Sequence, residues 1–124
     1  MPSWAAAVQT AAGEVGPIVG FLVACYARVS DLSAVEKSAL EMALMKDDVL
    51  LHLLTFGVDP AYQRCGVGSR LLAEAIRHAK RTRCRCIYLH VHEINSVAQH
   101  IYARAGFQCQ LRLQNYYKFR CGLG

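Results

Sequence analysis

The sequence predicts an α/β fold in one domain: a mixed, mostly antiparallel sheet flanked by helices. Three observations predict it. Two apolar runs near the N-terminus are separated by the turn-forming stretch AAGEVGP, the pattern of an antiparallel hairpin. A nearly continuous apolar run, Val49 to Val58, leads into the glycine-bearing stretch QRCGVG and then into residues at helical spacing. After that, strand and helix patterns alternate to the C-terminus.

Each element follows from its residues. WAAAVQT, Trp4 to Thr10, and IVGFLVACYARV, Ile18 to Val29, form the two arms of the hairpin; the second is rich in β-branched and aromatic residues. The segment from Ser30 to Asp48 is dominated by Ala, Leu, Met, Glu and Lys. Ser33 and Glu36 in it have capping-box spacing. It reads as a short helical insertion at 30–48, since no linker composition sets it apart from its flanks. VLLHLLTFGV, Val49 to Val58, suits a central strand buried on both faces, ended by Asp59 and Pro60. In SRLLAEAIRHAKR, the residues Leu71, Leu72, Ala75, Ile76 and Ala79 fall on one helical face. CIYLHVH, Cys86 to His92, is a strand, and SVAQHIYARAG, Ser96 to Gly106, is a helix with a glycine at its C-terminal end. FQCQLRLQNYYKF, Phe107 to Phe119, alternates as a final strand and then turns aromatic. There is no internal repeat.

Composition narrows the classes. The chain has 124 residues, 54% of them hydrophobic, which suits one folded domain with a modest core. Its longest apolar run, Pro17 to Val29, is broken by Gly20 and ended by Arg28, too short to span a bilayer as a helix. The N-terminus lacks the basic region of a signal peptide. The formal net charge is +5, with much of the excess in RHAKRTRCR. A solvated helix end explains that run, because cations are favourable near a helix C-terminus. A polyanion contact is the other reading. The cysteines, Cys25, Cys65, Cys84, Cys86, Cys109 and Cys121, show no zinc spacing and read as buried reduced thiols of an intracellular protein.

A buried strand, a glycine loop and an amphipathic helix make an anion site. The first helical turn offers unpaired N–H groups and the positive end of the dipole. Glycines let a phosphate approach that backbone closely. QRCGVGSRLL is neither of the two common phosphate loops. No Lys follows Gly68, and Leu71 stands where a third glycine would be required.

What remains, Q-R-C-G-V-G on a strand-to-helix turn, resembles the acetyl-coenzyme A pyrophosphate loop of the Gcn5-related N-acetyltransferase (GNAT) superfamily. Downstream, NSVAQHIYARAGF resembles the second half of that family's signature, with Asn95, Ala98, Tyr102, Gly106 and Phe107 matching. IYLHV and NYYK are most similar to the protein Nα-acetyltransferase catalytic subunits of NatE and NatF type. The resemblance covers roughly Val49 to Lys118.

The resemblance implies a GNAT fold and acetyl-CoA as cofactor. The acceptor it implies is an amine, foremost the N-terminal α-amine of peptides or proteins. Small-molecule amines or lysine are the alternative acceptors, and a non-catalytic acetyl-CoA-binding subunit is the alternative from another class. The cofactor-binding set it implies is Phe56, Gly57, Val58, Gln63, Arg64, Cys65, Gly66, Val67, Gly68, Ser69, Asn95 and Tyr102. His90 is the candidate base, as imidazole titrates in the right range for an α-amine, with His92 as the fallback. Tyr102 is implied as the donor to the departing thiolate. His52 stands where the NatE and NatF patterns carry a tyrosine and is the third catalytic candidate. Tyr116 and Tyr117 match a pair implied to contact the peptide backbone. No metal site and no specific DNA binding are expected. A cytoplasmic location is expected, with an auxiliary subunit or ribosome contact as a further partner. The family also begins with a strand and one or two helices ahead of the hairpin. Here the hairpin starts almost at Met1. Those elements are therefore expected to be missing, or replaced by the 33–48 segment.

Overall fold

The computed structural model describes residues 3–9, 15–34, 45, 47–63, 66–92, 94–112 and 115–121. Strands β1 (Ser3–Gln9), β2 (Val15–Arg28) and β3 (Val49–Val58) are followed by helix α1 (Val67–Arg81) and strand β4 (Cys86–His92). Helix α2 (Ser96–Arg104) and strands β5 (Gln108–Arg112) and β6 (Asn115–Cys121) complete the order. The sheet runs β1-β2-β3-β4-β6-β5. Only the β3–β4 pair is parallel among these ladders; the rest are antiparallel.

Two expectations about the strands need correction. The last strand, expected to run unbroken from Phe107 to Phe119, is a hairpin of β5 and β6, with β6 inserted between β5 and β4. No glycine or proline marks the turn between them, so the sequence pattern runs on as one strand. The second concerns β3, which is buried only over its first half: Leu50, Leu51 and Leu53 are inaccessible, whereas Leu54 and Thr55 are exposed. The reason is its pairing. The β3–β4 ladder covers Leu50 to Leu53 against Cys86 to Leu89, and beyond those residues the strands part.

The point of parting coincides with a bulge. On the β2 side, Val23 pairs with Thr55 and Ala24 with Leu53, which leaves Leu54 without an opposite residue. One extra residue reverses the alternation of faces. Leu51 and Leu53 point to the α1 side before the bulge; Phe56, packed against the same core, does so after it.

That core forms because α1 presents Leu71, Leu72, Ala75 and Ala79 to Leu22, Ala24, Leu51, Leu53, Ile87, Leu89 and Val91. Tyr102 and Phe107 belong to the same cluster. The opposite face of the central strands carries Leu50, His52, Cys86, Tyr88 and His90, by strand alternation. The basic run at the end of α1 behaves as a helix terminus. His78, Lys80 and Arg81 lie in the last turn, and Arg77 pairs with Glu74 at 2.7 Å. Cys25 and Cys84 are free thiols, but Cys86 is disulfide-bonded, against the expectation that every cysteine is reduced. Most of the expected insertion, including Glu36 of its capping box, lies outside the described residues.

The contrast between buried and bulged leucines is measurable. Leu72→Ala removes a fully buried side chain from the α1–sheet contact and should cost about 2–5 kcal/mol. Leu54→Ala, at a residue 46% exposed, should cost about 0.5 kcal/mol or less. Urea denaturation of the two variants checks both values.

Candidate active site

The parting of β3 and β4 opens a cleft of about 1360 Å³. Leu53 to Val58 form one wall, Leu89 to His92 a second, and α2 a third; the start of α1 closes one end. Along the first wall, β3 presents a strand edge with no ladder partner toward β4 among the described residues. Such an edge offers hydrogen-bonding groups to an extended amide-bearing ligand.

The glycine loop is built differently from the expectation that both glycines exist for phosphate approach. A short turn, Pro60–Tyr62, is started by Asp59, whose carboxylate accepts from the Ala61 N–H at 2.9 Å. The Gln63 side chain donates to the Val58 carbonyl at 3.2 Å and ties the loop to the end of β3. Gly66, the N-cap of α1, has φ +81°, a left-handed conformation that disfavours any side chain, and among the described residues, its chain neighbours apart, no atom lies within 4 Å of where a Cβ would be. The backbone there is open to a ligand. Gly68 serves packing: a Cβ would sit 3.2 Å from Cζ of Phe56 and 3.6 Å from a methyl of Val58. One glycine thus sets the turn and the other lets α1 approach β3. Val67 turns toward the core, while Ser69 faces the cleft. Arg64 and Cys65 lie outside the described residues.

At the far wall, the side chain of Asn95 caps α2, its Oδ1 accepting from the Ala98 N–H at 3.2 Å. Its expected cofactor contact is therefore left to the amide nitrogen. The other end of α2 closes with the Phe107 N–H bonded to the Tyr102 carbonyl at 3.0 Å and the Gly106 N–H to the Ala103 carbonyl at 3.1 Å. Gly106 has φ +97°. This is a Schellman motif, and its hydrophobic contact is the Tyr102–Phe107 ring pair at 5.7 Å. Phe56 meets the same tyrosine edge-on at 5.9 Å. Two rings and a helix cap thereby fix Tyr102, which is 8% exposed at the cleft wall. Burial pushes its phenol above the ordinary value of 10.0, so the hydroxyl stays protonated at neutral pH.

Three histidines come from the central strands. His90 is exposed and lines the cleft. His92 lines it too, but its Nδ1 accepts from the Ile94 N–H at 3.3 Å and its carbonyl accepts from Gln99 at 3.1 Å. It holds the β4–α2 connection. His52 lies behind the cleft. Its ring stacks on Tyr88 at 4.3 Å and stands 5.2 Å from His90. The backbones of Tyr116 and Tyr117 pair with Val91 and His90. Their side chains are outside the described residues.

Sequence reasoning missed the bulged Leu54, the stacked Tyr88, and Val97, His100 and Arg104 on the α2 wall. The α2 residues were legible in principle: positions 97, 100 and 104 share one helical face. Tyr88 required the β3–β4 register.

The two glycines should respond differently to substitution. Gly66→Ala should lose about 1–2 kcal/mol because of its left-handed backbone. In Gly68→Ala the tight contact with Phe56 is offset by about 1 kcal/mol of helix propensity, so it should stay near the wild type. Gly68→Val should overpack and cost about 1–3 kcal/mol. Chemical denaturation orders the three.

Residues 4–107 match the model of the acetyltransferase (GNAT) family. The chain is 30% identical over 117 residues to a histone acetyltransferase, MCC1, of Arabidopsis thaliana, which aligns with 93% of this chain and 47% of that protein. It is 31% identical over 108 residues to N-alpha-acetyltransferase 60 of Danio rerio, covering 85% of this chain and 45% of the relative. The chain thus spans about half the length of the curated relatives it matches. Among solved structures, Arabidopsis thaliana NAA60 in complex with a bisubstrate analogue superposes with a TM-score of 0.79 at 25% identity, over 97% of this chain and 75% of that one. The same plant protein in complex with acetyl-CoA gives 0.76 at 23% identity, covering 97% and 76%. With the family model spanning most of its length and the split sheet, glycine turn and capped helix in place, the chain belongs to the acetyltransferase (GNAT) family.

Proposed function

We propose that this chain is an acetyl-CoA-dependent N-acetyltransferase whose acceptor is the N-terminal α-amine of a peptide or protein. The observation that carries the reading is the cleft where β3 and β4 part. It brings a strand edge, an open helix N-terminus, an imidazole and a buried phenol onto one cavity. Similarity to N-alpha-acetyltransferase 60, and to a structure holding a bisubstrate analogue, supports the acceptor class.

The residues fit the cofactor. Leu54 to Val58 would pair with the amides of the pantetheine arm, and the amides around Gly66 would hold the pyrophosphate. Bound there, acetyl-CoA supplies an acetyl thioester as acyl donor. Phe56, Gly57, Gln63 and Ser69 line the same side of the cleft.

His90 supplies the base. An α-amino group has a pKa of about 7.7–8.0, so a large share is protonated at neutral pH and one proton must be removed. The exposed imidazole takes that proton directly or through a water. Tyr102 supplies the acid: its Oη keeps a proton that can be given to a departing thiolate. Leu54 and Val97 make part of the lining apolar. A cytoplasmic location, with an auxiliary subunit or ribosome contact, belongs to this reading, because nascent chains are made there. Among the described residues no helix is long and apolar enough to cross a membrane.

Similarity to a histone acetyltransferase favours lysine as a second reading. Acetyl transfer is measured with peptides of varied first residue and with Nα-blocked peptides bearing one lysine. Free α-amines should be acetylated and blocked peptides spared. Preference for the blocked peptides would establish the lysine reading. Acetyl-CoA binding with no turnover on any acceptor would establish a non-catalytic subunit.

His90→Ala should lower kcat/KM by about a hundredfold or more, as measured by steady-state acetyl transfer to a free-amine peptide. Tyr102→Phe keeps the ring contacts and should lower kcat by about a hundredfold, with the acetyl-CoA Kd nearly unchanged. Because the folded-state phenol titrates above 10.0, its protonated form adds a stability term that is complete below that pH. The term is lost as pH rises through the raised value. Stability of the wild type should therefore fall more steeply above pH 10 than that of Tyr102→Phe, as followed by alkaline denaturation.

A further inference from the structure

We infer that Tyr88 is a positioning residue for the two central histidines, clamping His52 flat so that His52 in turn sets the ring of His90. The catalytic consequence rests on the acetyltransferase reading; the clamp itself does not.

The register places His52 directly beside Tyr88, in the parallel ladder that ends one residue later at Leu53 and Leu89. Their rings lie 4.3 Å apart and within 9° of parallel. His90, two residues along β4, is tilted 52° to both rings, at 5.2 Å from His52 and 6.2 Å from Tyr88. Burial is graded along this row. Tyr88 is 4% exposed, His52 is half-buried, and His90 is open to the cleft.

That gradient assigns the roles. The terminal torsion of histidine is broad and roughly two-fold, so an imidazole on an open strand does not choose one orientation by itself. A buried ring stacked flat on it favours one. His52 lines no part of the cleft, and its ring contact with the cleft wall is to His90. His90 stands just past the end of the β3–β4 ladder, where β3 bulges at Leu54. The two strands have parted there, and the β3 ring beside His90 on the same face is that of His52, at 5.2 Å. The position of His52, occupied by tyrosine in the NatE and NatF patterns, thus keeps an aromatic ring, and Tyr88 is what orients it.

The test uses the full chain with Tyr88→Leu, Tyr88→Phe, His52→Leu and the double variant Tyr88→Leu/His52→Leu. Tyr88→Leu should lower kcat by about tenfold, the order expected of a displaced base. The acetyl-CoA KM should move less than about twofold, and Tyr88→Phe should restore kcat by restoring the ring. His52→Leu should lose as much as Tyr88→Leu, and the double variant no more than either, because the two act through one contact. NMR of the histidine ring protons reads the clamp without turnover. His52 should be shifted upfield in the wild type and in Tyr88→Phe, and return to ordinary positions in Tyr88→Leu. Wild-type kcat in Tyr88→Leu, or additive losses in the double variant, would overturn the proposal. So would a loss in Tyr88→Phe equal to that in Tyr88→Leu, which would assign the effect to the hydroxyl. If Tyr88→Leu does not fold, His52→Leu against Tyr88→Phe decides it. If the wild type turns over no acceptor, the NMR shifts still decide the clamp, and unshifted His52 resonances in the wild type would refute it.

Discussion

Everything about the cleft depends on the end of the β3–β4 ladder at Leu53 and Leu89. Two parallel strands held together to their tips would satisfy each other's backbone groups and leave no opening. The bulge at Leu54 prevents this. It bends β3, releases its edge, and reverses the facing of later residues, so that Phe56 joins the core while Leu54 is turned out. The lost ladder bonds, each worth about 1 kcal/mol, are the cost of an edge that a ligand can complete. The remaining β3 residues stay anchored, since β2 pairs with β3 as far as Val58.

Core and site are built from the same residues. Phe56 packs against Tyr102 at the cleft and also sets how closely Gly68 can approach β3. Phe107 ends α2 with a Schellman motif and supports the tyrosine it follows by five residues. The spacing Y-x-x-x-G-F is thus a physical device. Helix geometry puts the glycine at the left-handed position and the phenylalanine back over the tyrosine. Asn95 does the corresponding work at the other end of α2. A helix of nine residues is held at both termini, which is where the cleft needs it rigid.

The parts that could be read in the sequence were those with local causes. The hairpin, both helices and the glycine turn follow from periodicity, capping residues and turn chemistry over a few positions. The split of the last strand into β5 and β6 was hidden, because its turn carries no glycine or proline and the alternation continues across it. The exposed half of β3 was hidden for another reason. VLLHLLTFGV is apolar throughout, and only the partner strand's departure decides which residues are covered. The separate roles of Gly66 and Gly68 were likewise invisible, since one depends on a dihedral angle and the other on a side chain across the sheet. His90 and Tyr102 were legible from resemblance, and both line the cleft. His52 was legible as a departure from pattern, but its place behind His90 needed the stacking geometry.

The cleft also separates by environment the two groups to which the proposed function gives proton transfer. Tyr102 is buried among Phe56 and Phe107, where removing its proton would leave an anion with little solvation. His90 stands exposed in the open part of the cleft, where solvent could carry away a proton it accepted. A phenol in the open position would exchange its proton freely, and an imidazole in the buried one would resist becoming charged. On the proposed reading the arrangement would have a direction: a proton would enter at the exposed strand β4 and another would leave from the buried face of α2. Two groups so placed need no direct contact, because the reacting centre between them would link the two transfers. It is the divergence of β3 and β4 that lets the exposed strand and the buried helix face share one cavity.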